Sequence, residues 1–135
     1  MTQPHTLQVA LVSPERELWA GTAEMVSAKT LEGDVGVLGG HQPLLGVLVE
    51  GGVVRVRRGG EGNDLAAAVN GGFLSVSDDQ VSILAEDAEL GSEVDVESAR
   101  REWDESSGAE ATQDEASRAR AVRAKARLVA AGHEV

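Results

Sequence analysis

"LAAAVNGGFLSVSDDQVSILA", residues 65–85, is the stretch whose reading decides the fold class. Asn70 to Gly72 supplies residues that tolerate positive φ and predicts one turn. Asp78-Asp79 predicts a second, between "FLSVS" and "QVSILA". Working outward, "TLQVALV" places Leu7, Val9 and Leu11 at alternate positions, the period of a strand with one buried face. "TAEMVSAK" (22–29), "LLGVLVE" (44–50) and "VVRVRR" (53–58) are further strands, and the glycines at 51–52, 59–60 and 62 fall between runs as punctuation. Strands recurring about every ten residues without an intervening helix predict a sandwich or barrel for residues 5–88.

The texture changes after Leu90. "DVESARREWDE" has Asp95 as an N-cap, with Val96, Ala99 and Trp103 at helical spacing, and predicts a short helix ended by Ser106, Ser107 and Gly108. "TQDEASRARAVRAKARLVAAG" predicts a second, with Thr112 and Glu115 in capping-box spacing and Gly132 as its stop. Ala119, Val122, Ala126 and Val129 are expected to line its apolar face. That face is thin, so the helix gains little from packing and is free to dock or undock at modest cost.

Charge is distributed unevenly. The net charge is −11, and the segment Glu86–Glu115 holds twelve acids against two bases. Arg118 to Arg127 then carries five bases and no acid. The acidic total argues against a phosphate-backbone partner, so no nucleic acid is expected. An acidic surface would relieve the basic helix, whose like charges repel when it stands alone. The absence of cysteine excludes disulfides and thiolate chemistry. No signal peptide or apolar run of membrane-spanning length is evident, so no direct membrane insertion is expected.

The sequence "GDVGVLGGHQPLL" (33–45) is a glycine-rich apolar loop with a single histidine, and it invites two chemical readings that both fail. A hydrolytic triad needs partners for His41, and no Gly-x-Ser-x-Gly elbow is present. A phosphate cradle needs glycines between strand and helix or a Gly-Lys-Ser/Thr ending, and this stretch has neither. His5 and His133 sit near the termini, which are commonly mobile, so a three-histidine metal site would need an unusual convergence. The residues therefore predict no catalytic and no metal-binding residues, and the loop reads as a compact contact surface.

The three segments "LEGDVGVLGGHQPLLGVL", "AVNGGFLSVSDDQVSILAEDAEL" and the two-helix tail together resemble the epsilon subunit of bacterial F-type ATP synthases, actinobacterial members in particular. The resemblance implies a mostly β fold: an N-terminal two-sheet β-sandwich over residues 1–90, bound to the central stalk and c-ring, followed by an antiparallel two-helix hairpin over residues 91–135 with a regulatory role. It implies a noncatalytic rotor component at the cytoplasmic face of the cell membrane, with the gamma subunit, the c-ring polar loops and the alpha/beta head as partners. Asp34 then faces the c-ring, His41 lies near the gamma contact, and Arg118, Arg120, Arg123 and Arg127 meet an acidic loop of the head. Some relatives bind ATP through an Ile/Leu-Asp-x-x-Arg-Ala motif. Here "VDVESA" keeps Asp95 but has Ser98 in place of the arginine, with Glu89, Arg123 and Arg127 as the remaining candidates. No cofactor is implied, and ATP is at most a weak regulatory ligand. A stand-alone nucleotide-binding sandwich with a helical lid is the alternative reading.

Overall fold

The computed structural model describes residues 6–108 and 114–135, with Glu61 described by its backbone alone. Eight strands come first: β1 (Leu7–Val12), β2 (Glu17–Ala23), β3 (Met25–Thr30), β4 (Gly33–Leu38), β5 (Leu44–Val47), β6 (Gly52–Arg57), β7 (Leu65–Ser77) and β8 (Gln80–Leu90). Two helices follow, α1 (Val96–Ser106) and α2 (Glu115–Ala130).

The 65–85 stretch contains one turn, not two. Asp78 and Asp79 have φ of 51° and 61° and close a two-residue hairpin between β7 and β8, as expected of a type I′ turn. Asn70 to Gly72 does not reverse the chain. The same register holds from Ala67↔Leu90 to Ser77↔Gln80, passing over Gly71, so β7 continues through the glycines for 13 residues. Gly71 and Gly72, at φ 73° and 116°, bend the strand without ending it. The bend is close-fitting: a Cβ on Gly72 would lie 2.1 Å from the carbonyl oxygen of Leu84.

That bend builds the sandwich. Beyond it, Phe73–Val76 pairs with β5, and Gln80–Leu84 of β8 pairs with β1, which in turn pairs with β2. Before it, Leu65–Val69 pairs with β6, followed by β3 and β4. β7 and β8 thus each serve both layers, the device by which bent strands switch sheets at a sandwich corner. Leu7, Leu11, Val26, Val37, Val54, Val56, Val69, Leu74, Val76, Val81 and Ile83 fill the core between the layers, each under 2% exposed. With so few aromatics, interdigitated branched aliphatics supply almost all of the buried area. Trp19 packs at the edge of the core and holds the Arg58 guanidinium 5.1 Å from its ring centre.

Three other sequence expectations change. "TAEMVSAK" is the end of β2 and the start of β3, separated at Glu24, whose N–H bonds the Arg57 carbonyl. The 33–45 segment is not all loop: Gly33–Leu38 is β4 and Leu44 begins β5, leaving only residues 39–43 between them. The apolar face of α2 is also different. Ala121, Ala124, Ala126, Leu128 and Ala130 are buried, whereas Val122 is 43% exposed. The helix packs against both α1 and the β6–β7 surface, so it buries two adjoining stripes instead of one.

Candidate functional site at the seam beneath the C-terminal helix

Capping sets where each helix starts. The Asp95 carboxylate accepts the Ser98 N–H at 3.1 Å and caps α1, as its sequence position predicted. Thr112 lies outside the described residues. The cap of α2 is Asp114, which accepts from the Ala116 N–H. At the other end Gly132 stands at φ 92°, with Gly132 N–H on Val129 O and His133 N–H on Leu128 O. This pair of bonds is a Schellman stop, and it confirms Gly132 as the terminator.

Docked in this way, α2 lies over the outer face of the β6–β7 layer. Ala126 and Ala130 pack on Ala68, with Val53 and Ala66 beside them. Four of its five buried residues are alanines, whose single methyl groups contribute about 0.8 kcal/mol each. Charged contacts surround this thin apolar seam. Arg123 Nε bonds Glu50 Oε1 at 2.6 Å and Arg127 Nε bonds Glu89 Oε1 at 2.7 Å, both joining the helix to the sandwich. Arg120 bonds Glu102 at 2.7 Å and Glu105 at 3.3 Å, joining the two helices. The Glu102 hydrogen bond raises the Arg120 pKa above its ordinary value.

Between α1, α2 and β7–β8 lies a cavity of about 550 Å³. Glu89, Ser98, Arg123 and Arg127 line it together, as do Arg16, Asp87, Glu102 and Arg120, which the sequence reading did not single out for nucleotide. Asp95 is not among the lining residues; its carboxylate caps α1. The size suits a small ligand. The donor set does not suit a tightly held polyphosphate, because Arg120, Arg123 and Arg127 each already bond a carboxylate. Ser98 adds no positive charge, so a phosphate would have to displace Glu50, Glu89 or Glu102.

The remaining predicted residues lie elsewhere. Arg118 is exposed near the start of α2. Asp34 and His41 sit at opposite ends of β4: Asp34 is exposed opposite Lys29 in register, and His41 is half-buried past the strand's end. His41 Nδ1 lies 2.6 Å from the Gln42 carbonyl, to which it donates. The neighbouring Gly40 N–H is held by Asp79 Oδ1 at 2.6 Å, so the 39–43 turn is tied to the β7–β8 hairpin. At the other tip, Thr30 Oγ1 donates to Gly33 O and accepts the Glu32 N–H, and Leu31 projects 71% exposed.

One surface was missed altogether. Val47, Phe73 and Leu84 are in direct cross-strand register on the outer face of the layer away from the helices, and Val12 continues the row. Phe73 and Leu84 are each 51% exposed, and Leu45 is 73% exposed one register step away. The same face continues through Ala10, Ser75 and Ser82, then Gln8, Ser77 and Gln80. None of these side chains is charged, in a chain carrying 23 acids and 12 bases. The opposite outer face, by contrast, presents Lys29, Asp34, Arg55 and Arg57. The signal was available in the sequence, but only after the register aligned alternate residues of separate strands.

Among the described residues there is no cluster of ligands able to hold a metal ion and no helix long and apolar enough to cross a membrane. The model of the ATP synthase Delta/Epsilon chain beta-sandwich domain matches residues 6–91. The ATP synthase epsilon chain of Thermobifida fusca is 54% identical over 129 residues, covering 95% of this chain and 93% of its own. That of Frankia casuarinae is 57% identical over 84 residues, covering 62% and 96% respectively. Among solved structures, a chain of the Euglena gracilis mitochondrial ATP synthase, in a structure of OSCP, F1 and c-ring, superposes with a TM-score of 0.74 at 25% identity, covering 98% of this chain and 85% of that one. With the sandwich matched and a relative of this identity aligned over nearly its whole length, the chain belongs to the epsilon-chain family of the ATP synthases, whose members are structural and not catalytic subunits.

Proposed function

We propose that the protein works as a rotor part of the central stalk, joining the gamma subunit to the c-ring polar loops so that proton-driven rotation is coupled to ATP synthesis. The observation that carries this reading is the apolar row of Val47, Phe73 and Leu84, exposed on a strongly charged protein with Glu17 and Glu86 at its edge. A contiguous apolar patch rimmed by polar residues is the character of a protein-docking surface. Gamma is assigned to this face, with His41 and Leu45 at its margin, and the c-ring loops to the tip formed by Leu31 and Asp34. The complex sits at the cytoplasmic face of the membrane, and this chain attaches peripherally.

The tail supplies the regulatory part. Residues 91–135 act as a brake on ATP hydrolysis when α2 leaves the sheet and presents Arg118, Arg120, Arg123 and Arg127 to an acidic segment of the alpha/beta head. Charge-assisted contacts of that kind oppose rotation only while they are formed. ATP is a weak ligand at most, since the cavity arginines are already paired with carboxylates. A stand-alone nucleotide-binding regulator is accordingly not favoured.

Phe73→Glu combined with Leu84→Glu tests the docking face. Both side chains are half exposed, so the variant is expected to fold and to lose co-purification with gamma. A folded double variant that still co-purifies at the wild-type ratio contradicts the assignment.

A further inference from the structure

We infer that a second groove, on the opposite flank of α2 from the first cavity, is a binding site for a small phosphate-bearing anion held by Lys29, Arg55 and Lys125. It encloses about 600 Å³ between α2 and the outer face of β3 and β6. From the helix, the first cavity takes Arg120, Arg123, Ala124 and Arg127, whereas the groove takes Val122, Lys125, Ala126 and Val129. Helical periodicity puts these two stripes on opposite flanks. The sheet supplies the other two cations by register. Ser27 of β3 stands opposite Arg55 of β6, and Lys29 is the next residue of β3 on that face. Asp34, opposite Lys29 in register, is the one acid among the lining residues.

Charge separates this groove from the first cavity. There, Arg120, Arg123 and Arg127 each bond a carboxylate. In the groove, Lys29, Arg55 and Lys125 make no ion pair among the described residues. The residues three and four positions from Lys125 are Ala121, Val122, Leu128 and Val129, so its own helix offers it no acid. Three like charges thus converge without compensation in a chain whose acids outnumber its bases 23 to 12. An anion between them turns that repulsion into attraction. The donor set matches phosphate better than carboxylate, because a guanidinium fork takes two oxygens and two ammonium groups serve the rest as point charges. Three bases against one acid leave a surplus that a dianion neutralises, which selects a phosphate monoester.

The test is an NMR titration of the full chain with glycerol 3-phosphate at low salt, on the wild type and on Lys29→Gln with Arg55→Gln. The wild type should show saturable amide shifts centred on Lys29, Arg55 and Lys125, and the double variant should need about tenfold more ligand. Both replaced side chains are exposed, and unchanged shifts in β1, β7 and β8 report that the variant is folded. Lys125→Gln should weaken binding in the same direction, because helix and sheet share the ligand. Vesicles of phosphatidylcholine with and without phosphatidic acid distinguish the source of the monoester. Retention by phosphatidic acid that the double variant loses assigns a lipid headgroup, and binding of glycerol 3-phosphate without retention assigns a free phosphate ester; each supports the site. Equal binding by wild type and double variant, shifts centred instead on Ser98 and Glu102 of the first cavity, or no saturable binding of either probe overturns it.

Discussion

Asp95, one of the candidates for a nucleotide site, accepts the Ser98 N–H and starts α1. Asp95→Ala is therefore expected to destabilise α1 by about 1 kcal/mol, measured by local hydrogen exchange, while Asp95→Asn, which keeps the cap oxygen, changes little. Arg16 and Glu93 offer a titration test. The hydrogen bond from Arg16 holds the Glu93 pKa below its ordinary value and raises that of Arg16. The stabilisation from Glu93 is then present above the ordinary carboxylate range and is lost as pH falls through its lowered folded value. In Arg16→Gln the Glu93 carboxyl, followed by NMR, should titrate closer to its ordinary pKa. Caps and stops such as Asp95 and Gly132 were legible because they act on the backbone within a few residues. The partners of Arg123 and Arg127 were not, because Glu50 and Glu89 stand 73 and 38 positions away.

β7 shows how an element can be misread from a correct local signal. Asn70-Gly71-Gly72 does adopt positive φ at both glycines, as its composition predicts, yet it bends a strand that pairs with β8 on both sides. A hairpin needs the flanking runs to pair with each other. Here Leu65–Val69 and Phe73–Val76 instead pair with β6 and β5, and composition does not reveal which partner is present. Gly72→Val should cost about 3 kcal/mol or more, since it combines strain at φ 116° with a clash at Leu84 O. The check is the urea midpoint of the sandwich. In α2, Leu128 is fully buried and is the largest apolar group the helix contributes. Leu128→Ala should weaken docking by about 2–3 kcal/mol while leaving the exchange rates of the core strands as they are. The single stripe expected for α2 was wrong because the helix packs against two neighbours, α1 and the sheet, and periodicity in one helix does not count its neighbours.

Across the whole molecule, the proposed function is divided between two outer faces. One carries the apolar row of Val47, Phe73 and Leu84 with Glu17 and Glu86 at its edge; the other is charged and covered by helices held through arginine–carboxylate pairs. The first suits a lasting contact, because desolvating its apolar centre strands no charge. The second suits an exchangeable one. Overall architecture was legible from strand spacing and from the change of texture after Leu90, since each is a property of a long window. The docking face was not, because it is assembled from single alternate residues of four strands. Removing residues 111–135 should raise ATP hydrolysis by the assembled enzyme without loss of assembly, and unchanged hydrolysis would reject the brake while leaving the coupling role intact. The central claim is tested most directly by proton pumping driven by ATP hydrolysis, in membranes stripped of this chain and then resupplied with it. Wild-type chain should restore pumping and Phe73→Glu with Leu84→Glu should not; equal restoration by both, with the variant folded, would contradict the account.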